Sequence, residues 1–254
     1  MSTTDLDVVG QEALSFTVRG PWAHFRRVDA TTEKLTYRVM PRTTVAGLLA
    51  AVLGEPRDSY YGTFAKNSSA IAISPECELQ TQSIPQLTLP TKGGNIMTAD
   101  GVSGKTVVDP DTIAEERKRR TFEYVVDPAY RIDLVLDDTE TFERLADFLQ
   151  SGRSTYTPSL GKTECLADIS DVTRTVVGED GDSEEVDSTV PEEYVVPTPG
   201  EPLRMERTPA YMVADDGGRK TTGFVSYAFA PGDQTLAAPS APVRSVGERS
   251  VCFV

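Results

Sequence analysis

The chain has 254 residues, with 39 Asp and Glu against 25 Lys and Arg and a formal charge of -14 at neutral pH. That length suits one large domain or one domain with a sizeable insertion, and the longest nearly unbroken apolar run, Val45 to Leu53, is too short to cross a bilayer. The acidic start, MSTTDLDVVGQEA, lacks the pattern of a signal peptide, and Cys77, Cys165 and Cys252 are odd in number and far apart; both argue against a disulfide framework or a zinc site and for a reducing cytoplasm.

Most of the positive charge is Arg, 18 residues against 7 Lys. Sparse Lys with abundant carboxylate keeps proteins hydrated and apart in a salt-rich cytoplasm, so the composition reads as halophilic. Net charge then reflects the solvent, and local charge islands become the informative signal.

In chain order, Leu14, Phe16 and Val18 alternate with polar positions over 13–19, the period of a half-buried strand. A Gly-Pro turn follows, bearing Trp22, His24, Phe25, Arg26 and Arg27. From Arg19 to Arg42 there are six Lys or Arg and only Asp29 and Glu33 against them. Cations for phosphates and flat rings for bases are what single-stranded nucleic acid requires. Thr43 to Leu53 has helical spacing, with Thr43 or Thr44 expected as N-cap and Gly54 as the stop. Strands are expected over 70–74 and 77–84. No apolar periodicity survives from Pro90 to Arg120, a Gly-rich basic stretch with Lys92, Lys105 and the run Arg117, Lys118, Arg119, Arg120. It is long for a loop in a compact domain and predicts a functional excursion.

Strands are expected again over 121–126 and 130–136, joined by Asp127, Pro128 and Ala129. A helix over 139–150 follows, capped by Asp137 or Asp138 and ended by Gly152. The turn SLGKTE, with Lys162, feeds a further strand; it is too short for a nucleotide-binding loop. Residues 178–201 hold nine carboxylates and no Lys or Arg, an acidic insertion expected to be solvated or disordered. Strands over 204–213 and 223–229 complete an irregular, β-rich C-terminal part. The early order of elements fits an α+β, ferredoxin-like sheet of the kind RNA-recognition modules use.

GPWAHFRR, MPRTTVAGLLAAVLG and SLGKTECLA, in that order, resemble the fifth CRISPR-associated (Cas) protein family, with the variant of haloarchaeal type I-B interference complexes as the nearest likeness. The resemblance implies a single repeat-associated mysterious protein (RAMP) domain over 1–254. It also implies a ferredoxin-like palm and a long β-hairpin thumb, which falls by position at 88–121. It further implies a non-catalytic subunit of Cascade, the multi-subunit surveillance complex. Such a subunit grips the 5′ handle of the CRISPR RNA beside the backbone subunit and the large subunit, with no cofactor and no membrane partner.

Arg19, Arg26, Arg27, Arg38, Arg42 and Lys162 are the candidate phosphate clamps, joined by Lys92, Lys105 and Arg117 to Arg120. Trp22 and Phe25 are candidate stacking rings, and the helix start at Arg42, Thr43 and Thr44 is a candidate phosphate seat. His24, the lone histidine, carries the main alternative: a metal-independent endoribonuclease using His24 with Lys34 and Tyr37. A further alternative is an acidic interaction module that binds no RNA.

Overall fold

The alternation of Leu14, Phe16 and Val18 does produce a strand, β1 (Glu12–Arg19), but one buried on both faces. The structure, a computed structural model, describes residues 3–27, 33–88, 96–98, 106–108, 117–179, 185–197, 200, 203–215, 218–232 and 234–254. Helix α1 (Arg42–Leu53) follows β1, then β2 (Ser69–Pro75), β3 (Gln80–Thr88), β4 (Lys118–Val126) and β5 (Ala129–Leu136). Helix α2 (Thr139–Gln150) precedes β6 (Asp168–Glu179), β7 (Arg204–Asp215), β8 (Gly218–Phe229), β9 (Val243–Val246) and β10 (Arg249–Cys252).

A six-stranded antiparallel sheet has the order β10-β9-β6-β1-β5-β2. Leu14, Phe16, Val18, Ile71, Ile73, Ile132 and Leu134 face α1 and α2 in one core. The alternate residues Ala13, Ala70, Ala72 and Val135 meet Val246, Val251 and Phe253 on the other face. The half-buried expectation for β1 fails because the C-terminal hairpin β9–β10 covers its polar face. There Ser15 donates to Asp133 (2.7 Å) and Arg249 pairs with the same carboxylate (2.8 Å). Just beyond β10, Val254 exchanges two 3.1 Å hydrogen bonds with Ile71 at the opposite edge of the sheet, which encloses that second face.

The first helix corrects another expectation. Its N-cap is Pro41, with no side-chain cap, and Thr43 and Thr44 lie inside the first turn. Proline supplies the extended ψ of a cap residue, and its carbonyl accepts from the Thr44 and Val45 amides, so a threonine cap is not needed. Gly54 ends the helix at φ +79, a conformation that favours glycine. The second helix matches its expectation: Asp138 accepts from the Thr141 amide.

The expected strand over 77–84 begins only at Gln80, and β3 then pairs with β4 from Gln80↔Val126 to Thr88↔Lys118. Beyond this ribbon, Ile96–Thr98 pairs with Thr106–Val108. Within 178–201, Val190–Pro191 adds to β8, and Glu185–Val186 pairs with Leu236–Ala237.

Candidate nucleic-acid interface

The segment after β1 is a wall and not the polar turn its sequence suggests. Trp22 and Ala23 pair with Val126 and Val125 of β4. The His24 amide then donates to the Leu160 carbonyl at 3.0 Å. Leu160 is buried and opens the SLGKTE turn, which closes on itself through Leu160 N to Cys165 O (2.7 Å). Gly161 packs so closely that a Cβ would sit 2.2 Å from the His24 carbonyl oxygen, and its φ is +91. Only glycine brings the turn onto the wall. On the other side Lys34 bridges to β4, its amide on Thr121 O (3.0 Å) and its carbonyl taking the Glu123 amide (2.9 Å).

These contacts enclose an open cleft of about 490 Å³, with Arg26, Lys34 and Lys162 supplying cations and His24 and Phe122 supplying rings. Thr44 of α1 also lines it. Lys162 Nζ lies 4.3 Å from the centre of the Phe122 ring, donates to Tyr124 Oη (2.9 Å) and pairs with Glu164. Burial alone would lower the Lys162 pKa; the bonds to Glu164 and Tyr124 outweigh it and raise the value, so the ammonium stays charged. His24 is 3% exposed, and its ring centre stands 5.6 and 5.5 Å from those of Phe122 and Tyr124. Its Nδ1–H donates to the Glu123 carbonyl (2.7 Å), which fixes the tautomer with Nε2 as acceptor. Burial lowers its pKa against the opposing pull of that bond, so the ring is neutral at pH 7.

The structure thus gathers His24, Phe25, Arg26, Lys34, Thr44 and Lys162. Phe25, however, is 2% exposed and packs edge-on to Tyr130, so its ring belongs to the core and not to a stacking surface. Trp22 is half-buried, edge-on to Tyr124 behind the wall. Tyr37 is buried in the core, with the Arg27 guanidinium over its ring at 5.7 Å, and does not line the cleft.

Arg42 corrects the phosphate-seat expectation. Its guanidinium, 1% exposed, donates to Val254 O (3.0 Å), Phe64 O (2.6 Å), Ser69 O (3.2 Å) and Ser69 Oγ (2.6 Å). Thr43 turns to the Pro209 carbonyl, and Arg38 is held by Glu206, whose carboxylate also accepts the Arg38 and Val39 amides (2.7 and 3.1 Å). Arg19 pairs in the open with Asp171. Arg117, Lys118 and Arg119 are exposed and Arg120 half-exposed at the start of β4. Lys92 and Lys105 lie outside the described residues.

Phe122, Tyr124 and Gly161 were not singled out from the sequence. The signal for the two rings is present in KRRTFEYVV: with a period of two, Lys118, Arg120, Phe122 and Tyr124 share one face of β4. That face runs from the cleft along the ribbon, and Gln86 of the paired strand reaches Tyr124 Oη on it (2.8 Å). Among the described residues no group of three His, Cys, Asp or Glu is disposed to hold a metal, and no helix is long and apolar enough to cross a membrane.

The fold is a strand-rich α+β sheet with two helices on one face and a cleft of rings and cations beside it. The family model described as CRISPR-associated protein (Cas_Cas5) matches residues 13–251, and the chain belongs to that family. Among solved structures, a CRISPR protein from Archaeoglobus fulgidus is similar at TM-score 0.56 and 12% identity, covering 94% of this chain and 98% of that one. A chain from a CRISPR RNA-guided surveillance complex matches at TM-score 0.49 and 13% identity, covering 93% and 95%. No curated protein matches the sequence.

Proposed function

We propose that this chain is a non-catalytic, RNA-binding subunit of a Cascade-type CRISPR interference complex of the cytoplasm, and that it grips the 5′ handle of the CRISPR RNA. Membership of the family supports the setting. The observation that carries the reading is the cleft in which Arg26, Lys34 and Lys162 surround the Phe122 and His24 rings. Among the described residues Arg26, Lys118 and Arg120 make no ion pair with a carboxylate, in a molecule where acidic groups outnumber basic ones by 39 to 25. Cations left unpaired in so acidic a protein are suited to an external anion, and the half-buried Phe122 ring beside them to an unpaired base.

On this reading β6-β1-β5-β2 with α1 and α2 is a ferredoxin-like palm, and the β3–β4 ribbon is the base of a thumb at 88–121. The acidic stretch 178–201 is an elaboration, the backbone and large subunits are the partners, and type I-B is the subtype. Nuclease chemistry is the second reading, favoured by Lys34 and Lys162 beside His24. Against it stand the burial of His24, its Nδ1 bond to Glu123, and Tyr37 in the core.

Purified protein is incubated with repeat-derived RNA, alongside Arg26→Ala/Lys162→Ala and His24→Asn variants. The expected outcome is binding without cleavage, weakened by about tenfold or more in the double variant, since each charge-assisted hydrogen bond lost costs about 1.5–3 kcal/mol. Specific cleavage that disappears in His24→Asn would establish the nuclease instead.

A further inference from the structure

The long β7–β8 hairpin has an inner and an outer face. Glu206, Thr208 and Ala210 turn inward with Val225 and Tyr227. The register pairs Met205 with Ala228, Arg207 with Ser226 and Pro209 with Phe224 on the outer face. Met205 is 51% and Phe224 40% exposed there, and the Arg207 guanidinium lies 4.9 Å from the Phe224 ring centre. Among the described residues Arg207 makes no ion pair with a carboxylate. An exposed guanidinium spread over an exposed ring offers a flat, cationic platform, suited to a base and its phosphate together.

The hairpin that carries the platform is held beside the helix that lines the cleft. Thr44 lines the cleft, its neighbour Thr43 donates to the Pro209 carbonyl (3.4 Å), and Pro209 is the cross-strand partner of Phe224. The Glu206 carboxylate ties β7 to the backbone of Arg38 and Val39, just before α1, so the hairpin is fixed at the start of that helix.

We propose that Arg207 and Phe224 form a second contact for single-stranded RNA, taking nucleotides beyond those the cleft holds. The proposal rests on the cleft being an RNA site. Positive charge with stacking area favours RNA here over a protein partner, and the hairpin's tie to the start of α1 keeps both contacts about one helix.

Fluorescently labelled single-stranded repeat RNAs of about five and about fourteen nucleotides separate the two contacts, being near the bottom and the top of single-strand site sizes. Arg207→Ala/Phe224→Ala should weaken the long RNA by roughly tenfold and leave the short one unchanged. Arg26→Ala/Lys162→Ala, in the cleft, should weaken both. Thermal melts show whether each variant is folded, and photocrosslinking of thiouridine-substituted long RNA to the 204–229 hairpin supplies a readout on the unmodified protein.

Unchanged affinity of the hairpin variant for the long RNA, with no crosslink, overturns the second contact and leaves the cleft standing. A loss confined to the hairpin variant removes the cleft reading and, with it, a contact defined as second to the cleft. Equal losses on both RNAs make Arg207 and Phe224 part of the cleft and not its extension, which overturns the proposal. Absence of RNA binding in every form removes both.

Discussion

Arg42 and Arg26 look alike in the sequence, two arginines in one basic stretch, yet the fold uses them in opposite ways. Arg42 is enclosed by the 64–69 turn and the chain after β10, and it satisfies the carbonyls of Phe64, Ser69 and Val254, with the Tyr211 ring over its guanidinium at 4.5 Å. Arg26 projects from a short strand beside the cleft. Charge density in a sequence locates such a stretch; it cannot tell which cation the tertiary structure encloses, because the enclosing groups lie from 22 to 212 residues away. Arg42→Ala leaves the Phe64 carbonyl without its donor, at about 1–3 kcal/mol, whereas Val254 O keeps the Ile71 amide and Ser69 O the Thr4 hydroxyl. At about 2–4 °C per kcal/mol for a chain of this size, a melt should fall by roughly 2–12 °C. Arg26→Ala should leave the melt unchanged and lower RNA affinity. His24, the single histidine, stands out in the sequence and lines the cleft, but its burial was not legible. Its folded pKa is depressed by burial, so the unfolded chain binds the proton more readily. The stabilisation is complete above the ordinary value of 6.5 and is lost as pH falls through the folded pKa. Glu206 acts with the opposite sign: burial raises its pKa, and its contribution falls as pH rises. His24→Asn, which can keep the donor to Glu123 O, cancels only the histidine effect. The difference in melting temperature between wild type and variant should therefore shift in favour of the variant between pH 7.5 and 5.5. A difference independent of pH would mean that the ring titrates as it does in the unfolded chain.

At the scale of elements, the helices were legible to within a residue or two because their apolar spacing and stops are local, as Gly54 and Asp138 show. Strands β9 and β10 were not. VRSV and RSVC are four residues each, too short for a period to declare itself, and they become strands only because β6 offers a free edge. β4 lies between these cases. The arginine run was visible, but the strand begins inside it, at Lys118, so half of the run faces each way. Lys118 and Arg120 share the face of Phe122 and Tyr124, and Arg119 has the other. On the proposed RNA-binding reading, a strand that runs from the cleft along the ribbon meets the first pair. Lys118→Ala/Arg120→Ala should lower affinity for single-stranded repeat RNA by about tenfold, on the scale of one or two charge-assisted hydrogen bonds. Arg119→Ala should change it by less than about threefold. Equal losses from both would mean that the run acts as diffuse charge and that strand register is irrelevant to binding.

For the whole molecule the decisive quantity is the charge of -14 on a chain for which an RNA partner is proposed. At low salt the carboxylate surface repels phosphates over the full Debye length, while only a few local cations attract them. At about 1 M salt that length is about 3 Å, so both long-range terms vanish together. What survives is short-range: guanidinium forks on phosphates, and rings such as Phe122 against bases. The Lys162 ammonium, held over Phe122 and Tyr124 by Glu164, is built for contact and not for steering. Affinity for handle RNA should then fall weakly as KCl rises, well short of the slope of about -0.7 per neutralised phosphate expected for single strands. Between low and molar KCl it should level off or improve, because the screened surface repels less and the self-repulsion of the acidic fold is relieved. A titration of repeat RNA across KCl, with circular dichroism followed in the same samples, separates binding from folding. A steep loss of binding by a protein that remains folded would show that plain phosphate electrostatics governs the interface. The acidic surface would then be a spectator, and the rings of β4 would have to be read as wall and not as platform.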